Sequence, residues 1–246
     1  MKDSFFRKFA SCLTCGVLLA ALWLLLGNSG TLAWFPPVVV FSLAGLSLLG
    51  AFVFPFVWQY RQSKSRIDSA RVYGLLNALI RYCIAFNLAS FGWKKLFGLQ
   101  FVVPLSVAAG PMNQQSGEWL TWYYFGYSLV YGCIIAIIQI SGSLMILFQR
   151  TLLLGAVILF ALMFNLTLIN IFYHMNAGAL LQSVVVTIGL VYLILLDYNK
   201  LIVFFLSLYS NKGSITPFDV ITKNVVRLSA IILSLLFTIY LKSLVK

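Results

Sequence analysis

The chain has 246 residues, 62% hydrophobic and only 9% charged, with 17 Lys and Arg against 5 Asp and Glu and a single His. A water-soluble domain carries about a quarter of its residues as charged groups, so most of the surface here must face lipid. The formal charge of +12 sits in short clusters between long apolar runs, which is the pattern of cytoplasmic membrane loops and argues against nucleic-acid binding.

A hydrocarbon core about 30 Å thick needs roughly 20 apolar residues per helix. Runs of that length predict an all-α, polytopic transmembrane bundle of about seven spans. The first covers about 9–26 and ends at Gly27-Asn28-Ser29-Gly30; the second covers about 37–60 and is opened by Pro36-Pro37 at a helix start. A basic stretch with Arg61, Lys64, Arg66 and Arg71 leads into a third that ends near Phe97. A loop of about 100–118 precedes spans near 120–148, 152–173 and 177–196, and a seventh runs over about 225–241. The short apolar segment 201–209 reads as interfacial. Three parts follow: an N-terminal hairpin over 1–66, a four-helix unit over 67–200, and 201–246 with the last helix.

Orientation follows from Lys and Arg. With the N-terminus cytoplasmic, Lys2, Arg7, Lys8, the 61–71 cluster, Arg150, Lys200, Lys212, Lys223 and Arg227 lie inside, and Lys94, Lys95, Lys242 and Lys246 outside. This places the chain in the cell's inner membrane. The first apolar run exceeds the 7 to 15 residues usual for a signal peptide, so an uncleaved helix is expected.

Ionisable and amide groups at membrane depth are costly and mark candidate sites. On the third helix Asn77, Arg81 and Lys95 share one face, and Asn87, Ser90 and Lys94 another, so protein should surround it. Arg81 and the lysines suit either lipid head groups or an internal cationic site for an anion or a quinone carbonyl. On the fourth helix Ser128, Gly132, Gln139 and Ser143 share a face with Gly142 beside them, a small-residue packing seam. Thr167, Asn170 and His174 follow at helical spacing on the fifth. One histidine cannot build a multi-histidine metal site, so no metal is expected. Cys12 and Cys15 have dithiol spacing but lie at the cytoplasmic end, where structural thiols are the expectation. The five acids, Asp3, Asp68, Glu118, Asp197 and Asp219, all fall at helix ends or in loops, which leaves no carboxylate relay across the membrane.

The segments Arg81-Tyr82-Cys83-Ile84-Ala85-Phe86 and Ser90-Phe91-Gly92-Trp93-Lys94-Lys95-Leu96-Phe97, with Gln139 to Thr151, Leu154-Gly155-Ala156 and 165–173, resemble the DoxX-like family of integral membrane proteins over about residues 70–200. The resemblance implies a four-helix unit of the kind found in a subunit of thiosulfate:quinone oxidoreductase and in membrane anchors of oxidoreductase complexes. Gln139 stands where that family usually has Glu, and His174 where related sequences often have Asp, so the architecture is kept with two carboxylates removed. The function this implies is a multi-pass complex subunit, not catalytic by itself. It would dock or support a membrane-associated redox partner and bind a quinone through Arg81, Lys94, Lys95, Gln139, Asn170 and His174. The alternatives are a non-catalytic scaffold or assembly component of a larger complex, favoured by the lost acids and the small-residue seam, and a small-solute transporter, disfavoured by the lack of an inverted repeat.

Overall fold

Capping side chains set the helix starts. The structure is a computed structural model that describes residues 4–28, 32, 34–206, 225, 229 and 232–239. Ser4 accepts from the Arg7 amide and opens α1 (Phe5–Leu26); Pro37 opens α2 (Pro37–Ser63); Asp68 accepts from the Ala70 amide at the head of α3 (Ser69–Leu96). After the short α4 (Leu105–Ala108) and a 3-10 turn at Met112–Gln114, Ser116 caps α5 (Gly117–Tyr127) and Ser128 caps α6 (Leu129–Leu147). Then come α7 (Leu152–Phe172) and α8 (Ala177–Leu196), the latter capped by Asn176, and finally α9 (Tyr198–Leu206). At Ser4, Asp68, Ser116, Ser128 and Asn176 a side-chain oxygen satisfies an amide that the first turn leaves without an intrahelical partner.

Among the described residues there is no strand, and six helices, α1, α2, α3, α6, α7 and α8, are long and apolar enough to cross a membrane. The chain is an all-α polytopic bundle. The span expected over 120–148 is two helices: Ser128 adopts an extended backbone (φ −118, ψ 110) and caps α6 through its hydroxyl. With 11 residues α5 is too short to cross the bilayer. Of the seventh span expected over 225–241, the described residues 225, 229 and 232–239 are helical; of the segment 201–209, residues 201–206 belong to α9 and 207–209 lie outside the described residues.

Two compact units divide the chain, Met1–Asp197 and Tyr198–Lys246. In the first, α1, α3, α6, α7 and α8 meet in one core built from Leu18, Ile84, Leu88, Ile146, Leu159, Val186 and Leu190. The N-terminal hairpin shares that core through Cys15, Leu18 and Ala21 of α1. Small residues bring the backbones close, as packing without a hydrophobic drive between helices requires. A Cβ on Gly16 would lie 2.4 Å from the Ala51 Cβ of α2, and one on Gly155 would lie 3.0 Å from the Gly142 carbonyl oxygen of α6. By contrast α2 buries one stripe, Val40, Ala44, Ala51, Pro55 and Trp58, and turns the rest outward.

The third helix is not wholly surrounded. Leu75, Leu79, Tyr82, Phe86 and Trp93 are exposed and fall within about 60° of one another at 100° per residue, which makes a continuous lipid-facing stripe opposite the Asn77–Arg81–Lys95 face. The expected seam on α6 also divides. Gly142 and Ser143 are buried in it, whereas Ser128 ends a helix and a Cβ on Gly132 would find only the Phe125 carbonyl oxygen at 3.9 Å.

Candidate functional site

At the end of the bundle where α1, α3 and α7 finish and α2 and α8 begin, the helices spread around a cavity of about 530 Å³, within the range of small-molecule sites. The floor is polar. Asn87 of α3 donates to the Gln182 Oε1 of α8 at 2.6 Å, and Gln182 donates to the Ala21 carbonyl of α1 at 2.8 Å. These amides tie three helices together where irregular packing would otherwise leave polar groups in hydrocarbon.

Lys95 occupies the wall between α3 and α6. Its Nζ donates to the Gln139 Oε1 at 2.9 Å, approaches the Phe91 carbonyl at 3.4 Å, and lies 5.9 Å from the Phe91 ring centroid and 5.6 Å from that of Phe101. Lys94, one residue before it, also lines the cavity, with its Nζ 5.3 Å from the Phe91 ring. An ammonium among rings and amides gains from the rings' negative faces, but neither contact neutralises its charge. Among the described residues no Asp or Glu lines the cavity. Glu118 accepts instead from Asn176, at 2.8 Å.

The segment after α3 forms the remaining wall. Phe101 has a left-handed backbone, φ +66, a region that costs a bulky residue energy and collects at functional sites. That geometry stacks its ring 5.2 Å from Phe125 and sets it edge-on to Trp122 at 6.1 Å. Thr121, Trp122 and Phe125 of α5 line the cavity, so the helix that fails to span serves as a wall. It is held close because Gly117 abuts the last turn of α7: a Cβ there would lie 2.5 Å from the Tyr173 carbonyl oxygen. Gln100 also lines the space, and its buried Oε1 has no hydrogen-bond donor among the described residues. Phe41, Leu99 and Leu181 line it too while remaining exposed on the outside of the bundle, which gives the cavity an apolar rim.

Of the six residues expected to converge, Lys94, Lys95, Gln139 and Asn170 line this cavity. Asn170 also donates to Ser183 at 2.9 Å and to the Ala179 carbonyl at 3.1 Å. Arg81 and His174 are not among the lining residues. Arg81 precedes Lys95 by fourteen positions, about 21 Å along a helix axis, and its buried Nε has no partner among the described residues. His174 follows the end of α7 in a left-handed conformation, φ +51, and is exposed. The helical phase that links it to Thr167 and Asn170 stops at Phe172. Thr167 serves packing, bonded to the Thr187 hydroxyl at 2.9 Å. Sequence reasoning missed Gln182 and Gln100. The signal for Gln182 was present: a lone amide two turns into an apolar helix, which needs a partner at that depth.

No family model matches the chain, and no solved structure matches it. It is 33% identical over 126 residues to the "Uncharacterized protein YwoB" of Bacillus subtilis (strain 168), a match that takes in 50% of this chain and 77% of the other. On that identity and coverage, the chain belongs to the same family as the Bacillus subtilis protein YwoB.

Proposed function

We propose that this protein is a non-catalytic membrane subunit that holds the polar head of a lipid-soluble amphipath in the cavity between α1, α3, α5, α6, α7 and α8, and supports a membrane-associated partner. One observation carries the reading: the cavity joins a polar floor to an apolar rim, which matches a molecule with a head and a tail. The resemblance to DoxX-like proteins adds a quinone as one such molecule and an oxidoreductase as the partner. An inner-membrane location with a cytoplasmic N-terminus, favoured by the distribution of Lys and Arg, sets the cavity in the outer leaflet. Reaction chemistry has little to work with here, because among the described residues no carboxylate lines the cavity and the histidine stands outside it.

The test is purification from native membranes in a mild neutral detergent, followed by native mass spectrometry and solvent extraction. The expected result is a bound amphipath, quinone or lipid, in near-stoichiometric amount, together with a co-purifying membrane protein. A preparation that runs alone and yields no such molecule, and takes up none when quinones and lipids are added, overturns the reading.

A further inference from the structure

We infer that the head group held in this cavity is an anion, a phosphate or carboxylate carried on an apolar tail. The inference rests on the cavity being a binding site and deepens that reading by fixing the sign of the ligand's charge. Lys94 and Lys95 both line the space, and among the described residues no acid does. The groups on Lys95 are an amide oxygen, a backbone carbonyl and two aromatic rings, all neutral. A cation taken out of water among neutral groups carries a desolvation penalty that an opposite charge offsets best. A phosphate or carboxylate oxygen at Lys95 would also pair the ammonium with an opposite charge, which a neutral quinone carbonyl cannot do.

The charge distribution of the whole chain points the same way. Lys and Arg concentrate on the side of the N-terminus, and Lys94 and Lys95 belong to the small group at the other side. Two adjacent cations against the general bias, both turned to one cavity, are explained by a ligand that needs them. Gln100 supplies an independent pointer. Its Oε1 is buried at the same cavity without a donor among the described residues, and a buried acceptor left unpaired is costly. A head group bearing a hydroxyl next to its phosphate satisfies both demands. The exposed Phe41, Leu99 and Leu181 at the rim suit a tail that continues into the bilayer, so the anion is assigned to a lipid rather than to a soluble salt.

The experiment titrates the intact protein, in a neutral detergent, with phosphatidylglycerol, phosphatidylcholine, oleate, oleyl alcohol, menaquinone and inorganic phosphate, reading bound mass by native mass spectrometry and affinity by competition. Phosphatidylglycerol and oleate are expected to bind at least about tenfold more tightly than their neutral counterparts, a difference of about 1.4 kcal/mol. Lys95→Met should remove that preference and Lys95→Arg should keep most of it. If Lys95→Met does not fold, Lys94→Gln carries the test and should lower the preference about threefold or more. Equal binding of neutral and anionic amphipaths, or tighter binding of menaquinone, overturns the inference and leaves the cavity reading standing. Inorganic phosphate binding as tightly as phosphatidylglycerol overturns the lipid assignment. Failure of every probe to bind overturns both.

Discussion

Lys8 and Lys95 are lysines of the same membrane bundle, each set among amides and aromatic rings, and they end differently. Lys8, on α1, is 1% exposed; its Nζ donates to the Gln59 Oε1 at 2.5 Å and to Gln62, both on α2, and stands 5.6 Å from the Trp58 ring. Trp58 is itself fixed, donating to the Ser69 hydroxyl at 3.1 Å and meeting Tyr73 edge-on at 4.7 Å. Lys95 has one amide, one carbonyl and two rings, and an open cavity beside them. The first arrangement is closed by the protein, so its chemistry is used up in holding α1 to α2. The second leaves donor capacity facing a space, which is the condition for binding something else.

Substituting the two lysines breaks this contrast most sharply. Lys8→Met should lower stability by about 1–2 kcal/mol, since it strips a buried donor from the amide oxygens of the exposed Gln59 and the half-buried Gln62, which water can partly satisfy, and should leave ligand binding unchanged. Lys95→Met should shift ligand-free stability by less than about 1 kcal/mol, because the loss of the Gln139 bond is offset by removal of a charge with no opposite partner. Unfolding midpoints in mixed detergent titrations check both. If Lys8→Met is mild and Lys95→Met unfolds the protein, the assignment of closed and open sites is reversed.

The floor of the cavity lies between these extremes. Gln182 is 8% exposed, lines the cavity, and is bonded on both sides, to Asn87 and to the Ala21 carbonyl. Gln182→Leu should cost about 2 kcal/mol by stranding the Asn87 amide. Adding Asn87→Leu should restore part of that loss, because the second change removes the stranded donor. Strict additivity would mean that the two amides do not act as a unit.

How much of this was legible beforehand differs by level. Hydropathy located α1, α2, α3, α7 and α8 closely, because hydrocarbon allows little but helix. It missed the break at Ser128, since one serine in an apolar run is tolerated inside a membrane helix, and only the packing of α5 on Phe101 and Tyr173 makes the interruption useful. Helical phase placed Lys95 and Arg81 on one face, but a face is about 40 Å long over 28 residues and sequence does not say which part meets a cavity. The same limit applies to His174, whose apparent phase runs past the last residue of its helix. The pairing of Lys95 with Gln139 spans 44 positions and is set by the crossing of α3 and α6, a property of tertiary packing alone.

The smallest expected effect sharpens the contrast from its closed side. Thr167 and Thr187 bond to each other at 2.9 Å across α7 and α8, and Thr167 also donates to the Met163 carbonyl of its own helix at 2.8 Å. Neither residue lines the cavity, so the pair should resemble Lys8 in kind while differing in size. A hydroxyl that can return its proton to its own backbone loses little when its neighbour is removed. Thr167→Val and Thr187→Val, which keep the shape of the side chains, should therefore show a coupling of about 0.6 kcal/mol in a double-mutant cycle, the typical value between membrane helices. Ligand affinity should stay the same in all three variants. A coupling above about 2 kcal/mol would mean that this pair, rather than apolar packing, fixes the distance between α7 and α8. A change in affinity would mean that the cavity's geometry is set from this layer upward, and the division into closed and open polar sites would then have to be redrawn around α8.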